Sequence, residues 1–399
     1  MKQMKIGILG CTIDNSNMGC MALTYSLINL LQDICKNQGK YVEFYIFSGG
    51  GKAKGIVKLA ENINIDCEQL HVIPEITWEI NGVYKTLRTI KKIPMFYKIY
   101  KVMKHCDFII DMTQGDSFSD IYGKERFYNW TFSKRLVEKS RIPLILGPQT
   151  YGPFADSKVF RKAKKTIEDA QLVIARDSMS KDFVETFCNK QVIEGTDLAF
   201  RLPYNKNSKR EHNKIKVGIN PSGLLCKKKT DDSKFSIPLK TNFDEYLRQI
   251  IEWLKHNEQY EIHLISHVGN EAQECFGKIN GVIYHSEFSN PIEAKNCIAE
   301  MDVFIGARMH ATIAAFSSGV ATIPVAYSRK FIGLYRGIGY DSFVDLCEMS
   351  TEDSIDTTIE YIQNRELLQI QAKNSIKAVN SKYNVMKKQI ADFIDEVIL

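Results

Sequence analysis

Residues 301–339 read MDVFIGARMHATIAAFSSGVATIPVAYSRKFIGLYRGIG, and the order of apolar, glycine and basic residues in them specifies a piece of α/β architecture. Val303 to Ile305 is a buried strand, Gly306-Ala307 is a tight turn, and a helix begins near Arg308 and ends at Gly319. A second apolar strand, Val320 to Val325, and a second basic helix, Ser328 to Gly337, repeat the pattern. This spacing places Arg308 and His310 where a strand's carboxyl end meets a helix's amino end. Such junctions bind ligands in α/β sheets, and their unpaired backbone N–H groups favour anions. Lys330 stands one β-α step later in the equivalent place. Three cationic or potentially cationic side chains are thus set to converge on a ligand carrying phosphate or carboxylate.

The surrounding chain of 399 residues is too long for one ordinary core and suits two domains. Its 44% apolar and 25% charged residues are those of a soluble globular protein. The net charge of +6 fits acidic small molecules or an anionic membrane surface as readily as nucleic acid. No RNA- or DNA-reading module is visible, so nucleic acid is not an expected partner. Ten cysteines are scattered singly, with no CxxC pair, which predicts a reducing compartment and buried thiols and disfavours a disulfide scaffold or a zinc site. No apolar run is long enough to cross a bilayer, and the opening MKQMKIGILG leads directly into a strand, so the expected location is the cytoplasm.

From the start, Lys5 to Gly10 is a strand, CTIDNSNMG is a loop, and Met18 to Lys36 is a helix whose apolar positions recur at helical spacing. Asp14, Asn15, Asn17 and Gly19 are candidates for touching a ligand, while Asn17 or Asp14 reads equally well as a helix cap. Tyr41 to Phe47 is a strand, Gly49-Gly50-Gly51 a turn, and Gln69 to Pro74 a further strand. Residues 85–104 form a basic amphipathic stretch, which fits either peripheral contact with anionic lipid or a core-packing helix with a solvated face. Asp107 to Met112 is a strand ending in TQGDSFSDIYG, a polar loop in which Asp116, Ser117 and Asp120 are placed to bind sugar hydroxyls or to act as a base. Capping of the Lys124 to Ser140 helix is the alternative for one of them. Ile142 to Gly147 is a strand before the loop GPQTYGPF, Lys158 to Asp169 a helix, and Gln171 to Ala175 a strand. Arg176-Asp177 follows at its carboxyl end, with Asp177 capping the Ser178 to Cys188 helix and Arg176 left for a ligand or a salt bridge. Lys190 to Glu194 is the last strand of this half, and Asp197 is a cap or a pocket carboxylate.

The polar segment 205–214, NKNSKREHNK, reads as a linker between a domain at 1–204 and a second at 215–347. The second domain repeats the β-α order: strands at Lys216 to Asn220, Tyr260 to Ser266, Gly281 to His285 and Asp341 to Asp345, with helices at Asn242 to Asn257 and Pro291 to Glu300. A loop containing CKKKTDDSK follows the first strand, and His267 stands at the end of the second. Residues 348–399 are helical, and a long terminal helix is expected to cross back and brace the first domain. The fold expected is α/β, two Rossmann-like domains facing a cleft, with donor and acceptor on opposite walls. No G-x-G-x-x-G, Walker or G-x-S-x-G sequence is present, which disfavours a dinucleotide oxidoreductase, a P-loop enzyme and a serine hydrolase.

The segment GARMHATIAAFSSGVATIPVAYSRKFIG resembles the R-x-H helix and following lysine segment of the polysaccharide pyruvyl transferase family. DNSNMG, GDSFSDIYG, LILGPQTYGPF, IARDSMSKDF and TDLAF appear in the expected order, so the resemblance covers most of the chain. Gly306 stands where many members place a serine, and Cys20 where an acidic residue is frequent.

The resemblance implies a GT-B-like fold and the transfer of the enolpyruvyl group of phosphoenolpyruvate to a sugar of a cell-surface polysaccharide or its lipid-linked precursor. The product is a pyruvyl ketal; with no metal-ligand cluster apparent in the sequence, the reaction is expected to need no metal and no cofactor, and to run in the cytoplasm or at the inner face of the membrane. The resemblance carries Arg176, Arg308, His310 and Lys330 over as donor-site residues. Guanidinium forks bind carboxylate or phosphate, so Arg308 and Arg176 would each hold one end of the donor, and Lys330 would add charge on the phosphate. His310 would deliver the proton. Asp116 is the candidate base for the sugar hydroxyl, with Asp14 next. Two other readings stay open: a nucleotide-sugar glycosyltransferase of the same architecture, and a non-catalytic sugar- or lipid-phosphate binding protein.

Overall fold

The computed structural model describes residues 2–49, 54–75, 92–205, 213–226 and 238–397, without the side chain of Arg329. Its first half alternates β1 (Gln3–Leu9), α1 (Met18–Asn37), β2 (Tyr41–Phe47), α2 (Ile56–Ile63), β3 (Leu70–Ile73), α3 (Ile93–Lys104), β4 (Phe108–Asp111), α4 (Lys124–Lys139), β5 (Leu144–Gln149), α5 (Ser157–Asp169), β6 (Leu172–Ala175), α6 (Ser178–Glu185) and β7 (Ile193–Glu194). All pairs are parallel, in the order β3-β2-β1-β4-β5-β6-β7. Every residue of β4 and β5 is buried, as continuous apolar runs must be in a parallel sheet with both faces covered. The strand order reverses between β1 and β4, where α/β sheets open a crevice at their carboxyl ends.

The second half contains β8 (Ile215–Asn220), α7 (Phe243–Lys255), β9 (Tyr260–Ile265), α8 (Glu271–Phe276), β10 (Ile283–His285), α9 (Pro291–Ala299), β11 (Val303–Gly306), α10 (Met309–Ser317), β12 (Ala321–Ala326), α11 (Arg329–Arg336), β13 (Val344–Asp345), α12 (Thr351–Gln363) and α13 (Arg365–Glu396). This sheet is also parallel, ordered β10-β9-β8-β11-β12-β13, and its reversal lies between β8 and β11. Tyr246, Leu247, Ile250, Ile251 and Leu254 make one buried stripe on α7, packed in the same core as Val217, Ile262 and Val303 of the strands.

The chain divides into two compact units. The first comprises residues 1–14, 23–198 and 381–399; the second comprises 15–22 and 199–380. The division falls at Leu198–Ala199, before the polar 205–214 segment, because the residues between are held by the second unit. Phe200 packs edge-on against Phe316, and buried Lys295 donates to the Leu202 carbonyl at 2.9 Å. The last turns of α13 belong to the first unit: Phe393 packs on Phe108, Lys382 pairs with Glu194 at 2.7 Å, and Gln38 donates to the Ala391 carbonyl at 3.0 Å.

Some expectations needed correction. Helices α2 and α8 had no counterpart in the sequence reading, and β5 runs to Gln149, into what read as the GPQTYGPF loop. The cysteines are not all thiols, since Cys226 and Cys275 form a disulfide. They lie 49 residues apart, a pairing that spacing alone does not signal. Within the basic 85–104 stretch, 92–104 is described: Phe96, Ile99 and Met103 are buried on α3, while Ile93, Met95 and Tyr97 are exposed. Residues 85–91, Gly50-Gly51, most of the 205–214 linker and nearly all of CKKKTDDSK lie outside the described residues. No helix among the described residues is long and apolar enough to cross a membrane.

Candidate functional site

In the second unit the strand ends at the reversal point bring together one polar cluster. Asn220, the last residue of β8, is almost fully buried; its Nδ2 donates to the Ile265 carbonyl at 2.8 Å and its Oδ1 accepts from Arg308 N at 3.1 Å. One amide therefore ties the ends of β8, β9 and β11. Arg308 is the extended residue before α10, and its side chain is 18% exposed. Its Nε and Nη2 donate to Glu271 Oε2 at 2.9 and 2.7 Å. Glu271, at the start of α8, also accepts from Gly223 N at 3.1 Å through Oε2, and from His267 N and Val268 N at 3.3 and 3.2 Å through Oε1.

His267, His310 and Arg308 lie together. Burial, then the neighbouring His310 and Arg308, pushes the His267 imidazole down to about 3. His310 is half-buried in the first turn of α10, and Gly19 of α1 packs against its ring. This first turn of α1 is part of the second unit: Met18 N donates to the His267 carbonyl at 3.1 Å, and Gly269 N to the Ser16 carbonyl at 3.0 Å. Gly306 is required by packing, since a Cβ there would meet Thr312 Cγ2 at 2.5 Å and Phe304 Cε1 at 2.7 Å. Lys330 is half-buried in the first turn of α11, at the end of β12, the strand next to β11.

The remaining candidates are distributed as follows. Asn17 caps α1, its Oδ1 accepting from Gly19 N and Cys20 N at 3.0 and 3.3 Å. Asp14 is exposed and lies 3.9 Å from Lys54. Arg176, at the end of β6, is buried; Nε donates to Thr150 Oγ1 at 2.8 Å, Nη1 pairs with buried Asp197 at 2.9 Å, and Nη2 has no hydrogen-bond partner among the described residues. Asp177 caps α6 by accepting from Ser180 N at 2.7 Å. Asp116 accepts from the Tyr122 hydroxyl at 2.8 Å, and buried Ser117 accepts from Arg126 Nη2 at 3.1 Å. Asp120 accepts from the N–H groups of Ala155 and Asp156. The structure thus groups Arg308 with His310 in the second unit. In the first unit it sets Arg176 against the loop bearing Asp116 and Ser117, because a Cβ on Gly115 would lie 2.8 Å from Arg176 Nη1.

Sequence reasoning missed Glu271 and Asn220, and in the first unit it missed a buried ion pair beneath the Asp116 loop. Asp111, fully buried at the end of β4, pairs with buried Lys134 at 2.8 Å and accepts from Thr113 Oγ1 at 2.5 Å and Gln149 Nε2 at 3.2 Å. Glu75 feels the same pair: burial pushes its carboxyl up to about 7, with Lys134 opposing and Asp111 adding to the shift. Above the pair, Thr113, Gln114 and Gly115 have φ of 39°, 52° and 84°. Left-handed backbone is costly for a β-branched residue and persists only where the surroundings impose it. A signal for Glu271 was available: HVGNE sets a carboxylate just after a strand end and a glycine turn. Among the described residues no His, Cys, Asp and Glu side chains gather as a metal-holding group.

Two parallel Rossmann-like sheets are those of an α/β fold of the GT-B type. The UDP-GlcNAc 2-epimerase of Neisseria meningitidis bound to UDP-GlcNAc is similar in fold, with TM-score 0.60 at 12% identity over 99% of this chain and all of that one. A UDP co-structure of MnaA from S. aureus aligns with TM-score 0.60 at 10% identity over 100% of this chain and 97% of that one. CalG4, the calicheamicin glycosyltransferase, aligns with TM-score 0.52 at 10% identity over 100% and 99%. No curated protein matches the chain in sequence. The chain belongs to the polysaccharide pyruvyl transferase family, whose model matches residues 17–329.

Proposed function

We propose that this pyruvyl transferase takes phosphoenolpyruvate as its donor and forms a pyruvyl ketal on a sugar of a cell-surface polysaccharide or of its lipid-linked precursor. The observation that carries the reading is the pairing of Arg308 and His310 at the carboxyl end of β11, at the reversal point of the second sheet, within a family of pyruvyl transferases. Phosphoenolpyruvate bears a carboxylate and a phosphate a few ångströms apart, and a guanidinium fork suits either. Arg308 takes one of them and Lys330 adds charge at the phosphate. As a sugar hydroxyl oxygen adds to the central carbon, a proton moves to the methylene carbon and makes it a methyl group. His310 supplies that proton. A second sugar hydroxyl then displaces phosphate, closing the ketal. Asp116 is proposed as the base for the sugar hydroxyl, and Arg176, Ser117, Asp14 and Asn17 as further binding residues. No cofactor enters this scheme, so activity should persist in chelator. The reading also allows peripheral contact with anionic lipid through the exposed Ile93, Met95 and Tyr97 of α3, flanked by Lys98, Lys101 and Lys104.

The deciding experiment is incubation of the full chain with labelled phosphoenolpyruvate and a panel of lipid-linked or nitrophenyl glycosides, scored for ketal mass and phosphate release. Label transfer with stoichiometric phosphate supports the reading. Turnover only with a nucleotide sugar makes the protein a glycosyltransferase, and precursor binding without phosphate release makes it a binding protein.

A further inference from the structure

We propose that Glu271 is the positioning residue of the donor site: its carboxylate holds the guanidinium of Arg308 in the orientation that receives the donor. The proposal rests on the reading of Arg308 as a donor-binding residue.

Three observations carry it. Glu271 is 2% exposed, and its Oε2 takes both Nε and Nη2 of Arg308, so one edge of the guanidinium is fixed rather than a single nitrogen. An arginine held by an edge keeps its plane as well as its position, which a lone point contact does not provide. Glu271 is itself immobilised, because its two oxygens accept three backbone N–H groups, from Gly223 after β8 and from His267 and Val268 after β9. Gly223 follows β8, which borders the reversal point, and His267 and Val268 follow its neighbour β9, so the carboxylate links the ends of β8 and β9 to the side chain that leaves β11. The disulfide Cys226–Cys275 closes the same frame covalently, joining the segment of Gly223 to the helix of Glu271. Preorganised groups bind without the ordering cost that a mobile side chain incurs.

The test uses the full chain with E271Q and E271D. The Arg308 Nε–H resonance, assigned by its absence in R308K, should exchange slowly with solvent in the wild type and rapidly in E271Q. E271Q should raise the KM for phosphoenolpyruvate about tenfold or more, with the acceptor KM unchanged and kcat altered far less, the pattern of lost binding rather than lost chemistry. E271D keeps the charge and should fall between the two; it carries the test alone if E271Q does not fold. Slow exchange retained in E271Q, or a lowered melting temperature with donor KM at the wild-type value in either variant, overturns the proposal. If wild-type protein neither binds nor turns over phosphoenolpyruvate, the donor reading fails, while the exchange measurement still decides whether Glu271 holds Arg308.

Discussion

Gly19 and His310 are in contact: a Cβ built on Gly19 would sit 2.7 Å from Cγ and 2.8 Å from Cβ of His310. Real Cβ atoms essentially never approach a neighbour so closely, so alanine at position 19 must push the imidazole aside. Gly19→Ala is expected to lower kcat about 10²-fold, in the range of a displaced general acid, while leaving the melting temperature within a few degrees of wild type. Steady-state phosphate release and a thermal unfolding scan on the same preparation check this. A fully active Gly19→Ala protein would remove His310 from the proton transfer.

The imidazole itself is the second target. His310→Ala should abolish transfer with the circular dichroism spectrum unchanged, and Arg308→Lys should retain kcat within a few-fold while the donor KM rises steeply. Lysine keeps the charge but cannot present a fork to Glu271 and the donor together. An unchanged donor KM in Arg308→Lys reassigns the carboxylate clamp.

Acid should weaken the fold through His267. Its folded-state value is depressed to about 3 by burial and by the neighbouring His310 and Arg308, while an unfolded histidine titrates near 6.5. Between these values the unfolded chain binds the proton and the folded chain does not, so stability rises with pH through this window and is lost as pH falls below 6.5. Urea midpoints at pH 7 and pH 5 should therefore differ more in wild type than in His267→Asn. Equal differences would show that His267 contributes nothing to the acid slope.

The Asp111–Lys134 pair is fully enclosed, so removing one member leaves a charge without compensation. Lys134→Met should destabilise the protein by about 3–5 kcal/mol, and Asp111→Asn in the same chain should restore a good part of that. The comparison of single and double variants in urea unfolding checks it. A Lys134→Met loss below about 1 kcal/mol would mean that the hydrogen bonds donated by Thr113 and Gln149 compensate the Asp111 carboxylate without the ammonium.

Breaking the Cys226–Cys275 link, which spans 49 residues of sequence, should cost up to about 4 kcal/mol by loop-closure entropy. Cys275→Ser, compared with wild type under non-reducing conditions, measures the loss. Identical urea midpoints would show that the bond adds no stability.

Much of this architecture was legible. The strands β2 and β11 and the helices α1 and α10 fall within a residue or two of the bounds that apolar periodicity and glycine punctuation suggest, because buried parallel strands and amphipathic helices write their period into the chain. The placement of Arg308 and His310 between a strand end and a helix start was legible for the same reason, because such a junction is a local pattern. Glu271 was not, because α8 is only 6 residues long, too short to show a helical period, and its partner lies 37 residues away. The Asp111–Lys134 pair escaped similarly, since Lys134 reads as an ordinary surface position of a basic helix and its burial is decided by packing. Asn17 was open to two readings, cap and ligand contact, and its Oδ1 bonds to Gly19 N and Cys20 N bear out the cap. The cysteines show where composition misleads, because single spacing cannot reveal which two thiols a fold will juxtapose.

Residues 381–399 complete the unit that begins at residue 1. During synthesis Phe108 and Glu194 of the amino-terminal sheet lack their partners Phe393 and Lys382 until those turns of α13 have emerged. The second unit has all of its residues by position 380, so the first unit is expected to complete its packing after the second has its whole sequence.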